Sequence, residues 1–100
     1  MSNLIDRYLI FRIRAKRDSD AFAEIYDKYV NAIYRFVFLK VPSTEDAQDI
    51  TAEVFTKLLN VLNENQRVTY VRALLYKMAR NLIADFYRKR QPTQSLLLHF

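Results

Sequence analysis

The chain has no glycine among its 100 residues. Glycine is the residue that enters left-handed backbone without steric cost and lets a ligand approach bare main chain. Its absence rules out a Walker loop, a Gly-rich dinucleotide turn and an EF-hand loop. What remains is the composition of a stiff helical scaffold, with turns made instead by Asp18, Ser43 and Asn63. Cysteine is absent as well, which excludes a disulfide framework, a zinc ribbon and a thiol nucleophile. The single histidine, His99, cannot build a His-rich metal site by itself and reads as an incidental polar residue. No cofactor and no metal are expected.

The length is that of one small domain with one core. With 51% apolar and 27% charged residues the chain has ordinary globular usage, enough to fold rather than stay disordered. Apolar runs such as 36–39 and 96–98 fall far below the roughly 18 residues of a membrane span. Asp6 and Arg7 interrupt any secretory apolar segment early. The expected location is the cytoplasm, with no membrane partner.

Charge is segregated along the chain. Residues 1–20 carry a net +2, residues 21–66 a net −3 and residues 67–100 a net +6. The basic last third suits a polyanion, and the acidic middle suits a basic protein partner.

Hydrophobic spacing predicts an all-α fold of four helices. In the first, about Asn3 to Lys16, Phe11, Ile13 and Ala15 alternate with Arg12, Arg14 and Lys16 as a strand would. An isolated strand would have no partner, so helix is the reading. The second is capped within Asp18 to Asp20 and carries the stripe Phe22, Ile25, Tyr26, Tyr29, Val30, Ile33, Phe36 and Val37, stopping near Lys40 ahead of Pro42. Ser43 or Thr44 caps the third, whose inward stripe is Ala47, Ile50, Val54, Leu58 and Val61. After a polar break at Asn63 to Arg67, the fourth runs from about Thr69 to Arg90. It buries Val71, Leu74, Leu75, Met78, Leu82 and Phe86, and Gln91-Pro92 ends it. The apolar ending Leu96-Leu97-Leu98-His99-Phe100 predicts that the native chain continues.

Two faces are candidates for function. On the third helix Glu45, Asp49 and Glu53 recur at i, i+4, i+8, a like-charge spacing that costs roughly 0.2–0.5 kcal/mol per pair. Compensation of the helix dipole accounts for Glu45 but not for Glu53, which lies beyond the first turn. An acidic docking face and a merely solvated face both fit. Phe55 beside it reads as core or as an anchor. On the fourth helix Arg72, Tyr76 and Arg80 follow at i+4, and past Ala84 the row reaches Tyr87 and Arg88. Cations interleaved with aromatics suit single-stranded nucleic acid, in which bases stack on rings and phosphates meet guanidinium groups. The bland alternative has Tyr76 packed sideways on the core under a solvated basic face. Asp85 reads as a local partner of Lys89 at i+4. Nothing supports catalysis, because Asp49 and Glu53 lie on one exposed face with nothing to separate their pKa values.

Three segments in order, residues 18–29, 44–59 and 72–90, together resemble region 2 of bacterial RNA polymerase sigma factors, in the extracytoplasmic-function (ECF) group. The resemblance covers about residues 18–90. It implies a compact, non-enzymatic four-helix sigma region 2 domain, with residues 1–17 a helix before it and 91–100 the start of a truncated interdomain linker leading to a second DNA-binding domain. It implies that the third helix docks on the clamp coiled coil of core RNA polymerase through an Asp-x-x-Gln-Glu-x-Phe pattern falling on Asp49, Ala52, Glu53 and Phe55. Here Ala52 stands in place of the Gln. It implies that Asn63 to Arg67 and the fourth helix, including Arg67, Lys77 and Asn81, melt the promoter and capture non-template bases of the −10 element. Leu74 stands where many members carry Trp. An anti-sigma factor is a further implied partner. Two other readings are a helical protein-protein adaptor without DNA binding and a basic membrane-surface helix at residues 4–17.

Overall fold

The computed structural model describes residues 2–64 and 66–98, with side chains at 3–64 and 66–90. It contains four helices in chain order: α1 (Ser2–Lys16), α2 (Ser19–Phe38), α3 (Thr44–Asn63) and α4 (Val71–Leu98). No strand occurs among the described residues. The alternation in α1 is therefore not a strand signal: Ile13 is buried and Phe11 points outward, as helical geometry requires.

Capping side chains replace glycine at the helix starts. Asp18 accepts from the amides of Asp20 and Ala21 to open α2, and the Ser43 hydroxyl accepts from the Asp46 amide to open α3. Between α1 and α2, Arg17 takes φ 49°, left-handed backbone that costs a non-glycine residue about 1–2 kcal/mol.

α2 packs against each of the other three helices, and α3 touches α1, α2 and α4. Ile25, Ile33 and Val37 of α2, Val54, Leu58 and Leu62 of α3, and Leu75 and Ala79 of α4 are completely buried together. Each large apolar side chain so buried contributes about 1.5–3 kcal/mol. Tyr26, expected on the α2 stripe, is exposed, and Leu62 takes the inward place that spacing gave to the half-buried Val61. α1 adds Leu9, Ile10 and Ile13 to the core. No helix is long and apolar enough to cross a membrane.

Polar groups fasten α1 as well. Asp6 is 2% exposed; its carboxylate accepts from Lys28 Nζ at 2.7 Å and from the Tyr29 hydroxyl of α2. Burial works against the Lys28 ammonium, but the hydrogen bond and charge of Asp6 outweigh it and hold the pKa above its ordinary 10.5. Nearby, Arg12 bridges Asp18 at 2.7 Å and Glu24 at 3.0 Å. The Arg12 hydrogen bond, against a smaller desolvation, holds the Asp18 carboxyl below its ordinary 3.8.

α4 does not stop at Gln91-Pro92 but continues to Leu98. A proline removes one backbone hydrogen bond and strains the turn before it, at about 3 kcal/mol. The helix-forming Gln94 and Leu96 to Leu98 beyond it still favour helical backbone. Asp85 pairs with Arg88 at i+3 rather than with Lys89. His99 and Phe100, read as part of an apolar ending, lie outside the described residues.

Replacing Asp6 with Ala leaves the buried Tyr29 hydroxyl without its Asp6 acceptor and is expected to lower stability by about 1–3 kcal/mol, read by urea unfolding. The Arg12–Asp18 pair predicts a pH signature. Because the Asp18 pKa is depressed on folding, its contribution is complete above 3.8 and is lost as pH falls through the lower folded value. Asp18→Asn keeps the cap and removes the charge. Its melting temperature should lie below wild type at pH 6, and the gap should close towards pH 2.

Candidate functional site

Successive residues of a helix turn by about 100°, so an inward set at 47, 50, 54 and 58 leaves 45, 49 and 53 along the opposite side. Glu45, Asp49 and Glu53 are all exposed, and none of the three has an ion-pair partner among the described residues. Along the edge of this acidic row, α3 and α4 enclose a groove of about 390 Å³ lined by Asp46, Asp49 and Glu53 on one side and Asp85 and Lys89 on the other. Phe55 is not part of the exposed face. At 4% exposure it belongs to the core, its ring 4.9 Å from the half-exposed Tyr26 in an edge contact. Position 55 falls on the inward arc with Val54 and Leu58, so any effect of Phe55 on docking passes through the surface it supports.

α4 turns a different flank towards the end of α2. The Tyr76 ring meets Phe36 edge-on at 5.1 Å, and the Arg72 guanidinium lies 6.0 Å from the centre of the Tyr76 ring. The Tyr87 hydroxyl donates to the Lys40 carbonyl, and its ring stands edge-on to Phe86. Arg80 lies between them, exposed. The structure thus brings Arg72, Tyr76, Arg80 and Tyr87 into one row. Lys77, Asn81 and Arg88 are exposed but form a second row on the outer side of the helix, about a quarter-turn or more away. Tyr76 is half-buried, so part of its ring serves the core, as the sideways-packing alternative held. Arg67, Lys77 and Arg80 have no acidic partner among the described residues, whereas Arg88 is engaged by Asp85.

Asn63 ends α3 and Arg67 lies within the connection to α4, both exposed. Asn63 lines a cavity of about 530 Å³ with Arg14, Arg17, Ser19, Phe22 and Leu59, at the junction of α1, α2 and α3.

Two cations near these surfaces, Lys40 on the basic flank and Arg14 at the end of α3, have no sign in the sequence pattern. Lys40 places its ammonium 4.1 Å from the Phe36 ring, next to Tyr76, and its carbonyl holds Tyr87. It follows α2, four residues after Phe36, and only the fold brings Tyr76 and Tyr87 beside it. Arg14 reaches the α3 to α4 connection from α1: Nε donates to the Leu62 carbonyl at 3.0 Å, and a terminal nitrogen donates to the Gln66 carbonyl. Its partners are far away in sequence, and no local pattern signals them.

The domain is all-α and exposes an acidic row on one helix and a cationic, aromatic row on the next. The Sigma-70 region 2 family matches residues 25–93, and the chain belongs to that family. It is 33% identical to the ECF RNA polymerase sigma factor BldN of Streptomyces coelicolor, over 71% of this chain and 27% of that protein. It is 32% identical to the ECF RNA polymerase sigma factor SigW of Bacillus subtilis, over 77% of this chain and 41% of that protein. The ECF RNA polymerase sigma factor SigX of Bacillus subtilis is 27% identical over 79% of this chain and 41% of its own length. The chain therefore spans about a quarter to two fifths of the relatives it matches. No solved structure matches it.

Proposed function

We propose that this domain is a non-enzymatic transcription initiation module, in which α3 docks on core RNA polymerase and α4 binds the melted strand of the −10 promoter element. The polymerase supplies the catalysis. The observation that supports this most directly is the placement of two exposed rows of opposite charge on separate sides of the α3 and α4 pair. One domain can then hold a basic protein surface and an anionic strand at once without either competing for the same side chains.

On the docking side, Glu45, Asp49 and Glu53 meet the clamp coiled coil, with Phe55 holding Tyr26 in place behind them. Ala52 offers no polar contact there, so the carboxylates carry more of the attraction. The same acidic face is the natural target of an anti-sigma partner. On the DNA side, Arg72, Arg80 and Arg67 neutralise phosphates while the exposed parts of the Tyr76 and Tyr87 rings receive bases. Lys77, Asn81 and Arg88 meet the strand or the flanking duplex along the outer row, and Asn63 meets a base at the connection. The half-burial of Tyr76 and the bond from Tyr87 to Lys40 favour a second reading, a protein-protein adaptor whose basic row is only solvated.

Charge reversal at two carboxylates, Asp49→Lys with Glu53→Lys, is expected to weaken binding to core polymerase by about tenfold or more in a fluorescence titration, with the melting temperature unchanged. Wild-type affinity in that double variant contradicts the docking role. On the other face, Arg80→Ala should lower the salt slope for a single-stranded promoter oligonucleotide by about 0.7. Tyr76→Ala should cost about 1 kcal/mol of binding, the low end for a stacked base, because Phe36 occupies one side of the ring. If both variants bind as wild type, the adaptor reading replaces the DNA-binding one.

A further inference from the structure

We infer that Arg14 is a positioning residue for nucleic-acid recognition: from α1 it fixes the backbone on both sides of the turn after α3, and thereby the direction in which Asn63 and Arg67 face a strand. This rests on the reading of α4 and its approach as the nucleic-acid surface.

The need for such a residue follows from how α3 ends. The last four carbonyls of a helix have no intrahelical donor. In α3 the Glu64 amide serves the carbonyls of Asn60 and Val61, and the last turn contains no basic side chain. The Leu62 carbonyl is met from outside, by Arg14 Nε at 3.0 Å. A terminal nitrogen of the same guanidinium donates to the Gln66 carbonyl, beyond the turn. One planar fork therefore spans two carbonyls four residues apart, a geometry that an ammonium point charge does not reproduce. The cation also lies at the negative end of the α3 dipole, where it is favoured.

Arg14 is anchored at its own end. α1 is held by Leu9, Ile10 and Ile13 in the core and by the buried Asp6 against Lys28 and Tyr29. Arg14 is partly buried, and its guanidinium is tied at two points, to the carbonyls of Leu62 and Gln66. Asn63 lies between the two held carbonyls and Arg67 directly follows the second. Their approach to a strand is set by a residue that itself need not touch it.

The test uses the 100-residue chain and the variants Arg14→Gln, Arg14→Lys and Arg80→Ala. Probes are four labelled single-stranded decamers differing only in one central base. For Arg14→Gln, amide hydrogen exchange at Leu62, Asn63 and Glu64 should accelerate about tenfold or more, the scale of one hydrogen bond from a charged donor. The spread of affinities over the four decamers should narrow while the salt slope stays at the wild-type value, because no phosphate contact is lost. Arg14→Lys should recover part of the exchange protection and part of the spread. Wild-type exchange and wild-type spread in Arg14→Gln overturn the inference, as does an equal loss of affinity for all four decamers or global unfolding of both Arg14 variants. If Arg80→Ala also binds every decamer as wild type, the nucleic-acid reading itself has failed. If Arg80→Ala weakens binding and Arg14→Gln changes nothing, only the positioning role has failed.

Discussion

The shared core of α2, α3 and α4 sets everything that faces outward. Ile25, Ile33, Val54, Leu58, Leu75 and Ala79 meet with no exposure to solvent, and interiors packed at that density do not tolerate a shifted register. Turning α3 by one residue would carry Glu53 into the place of Val54. An unpaired carboxylate in such a place is far costlier than the loss of one methylene, so the helix has one rotational setting. The acidic row of Glu45, Asp49 and Glu53 and the row of Arg72, Tyr76, Arg80 and Tyr87 are consequences of that setting.

α1 is joined to this core by a different kind of contact. Its inward face is apolar at Leu9, Ile10 and Ile13, but Asp6, Arg12 and Arg14 each bind a partner on another element. The ties run to the start and the middle of α2 and to the end of α3. Without glycine, the tight connection between α1 and α2 is made by Arg17 in left-handed backbone, a local cost that the surrounding ties offset. The helix that lies before the family match thus helps to shape the connection from which recognition is proposed to begin.

How far the sequence revealed this depended on the range of each signal. Helix faces were readable because their signal is local: the spacing of Glu45, Asp49 and Glu53, or of Ile25, Ile33 and Val37, suffices once a period of 3.6 is assumed. Phe55 was ambiguous because it lies at the margin of the stripe, and the fold resolved it inward against Tyr26. Asp6 was visible only as a charge that interrupts an apolar run. In retrospect, Asp6 sharing one helix face with Leu9, Ile10 and Ile13 was the signal of a buried, partnered carboxylate. Arg14 could not be read, nor could the bond from Tyr87 to the Lys40 carbonyl, since these partners meet only through tertiary packing. Pro92 misled, because a breaker rule states a cost and not a prohibition.

We propose one domain that holds two partners at once through separate faces. The most direct measurement is a bridging assay, in which a single-stranded promoter oligonucleotide is immobilised, the chain is added, and retention of core polymerase is followed. If the acidic row of α3 and the basic row of α4 bind different partners, polymerase is retained only when the chain is present, and retention rises with chain concentration. If core polymerase instead displaces the chain from the oligonucleotide, the two partners compete for one surface, and the division of labour between α3 and α4 is wrong.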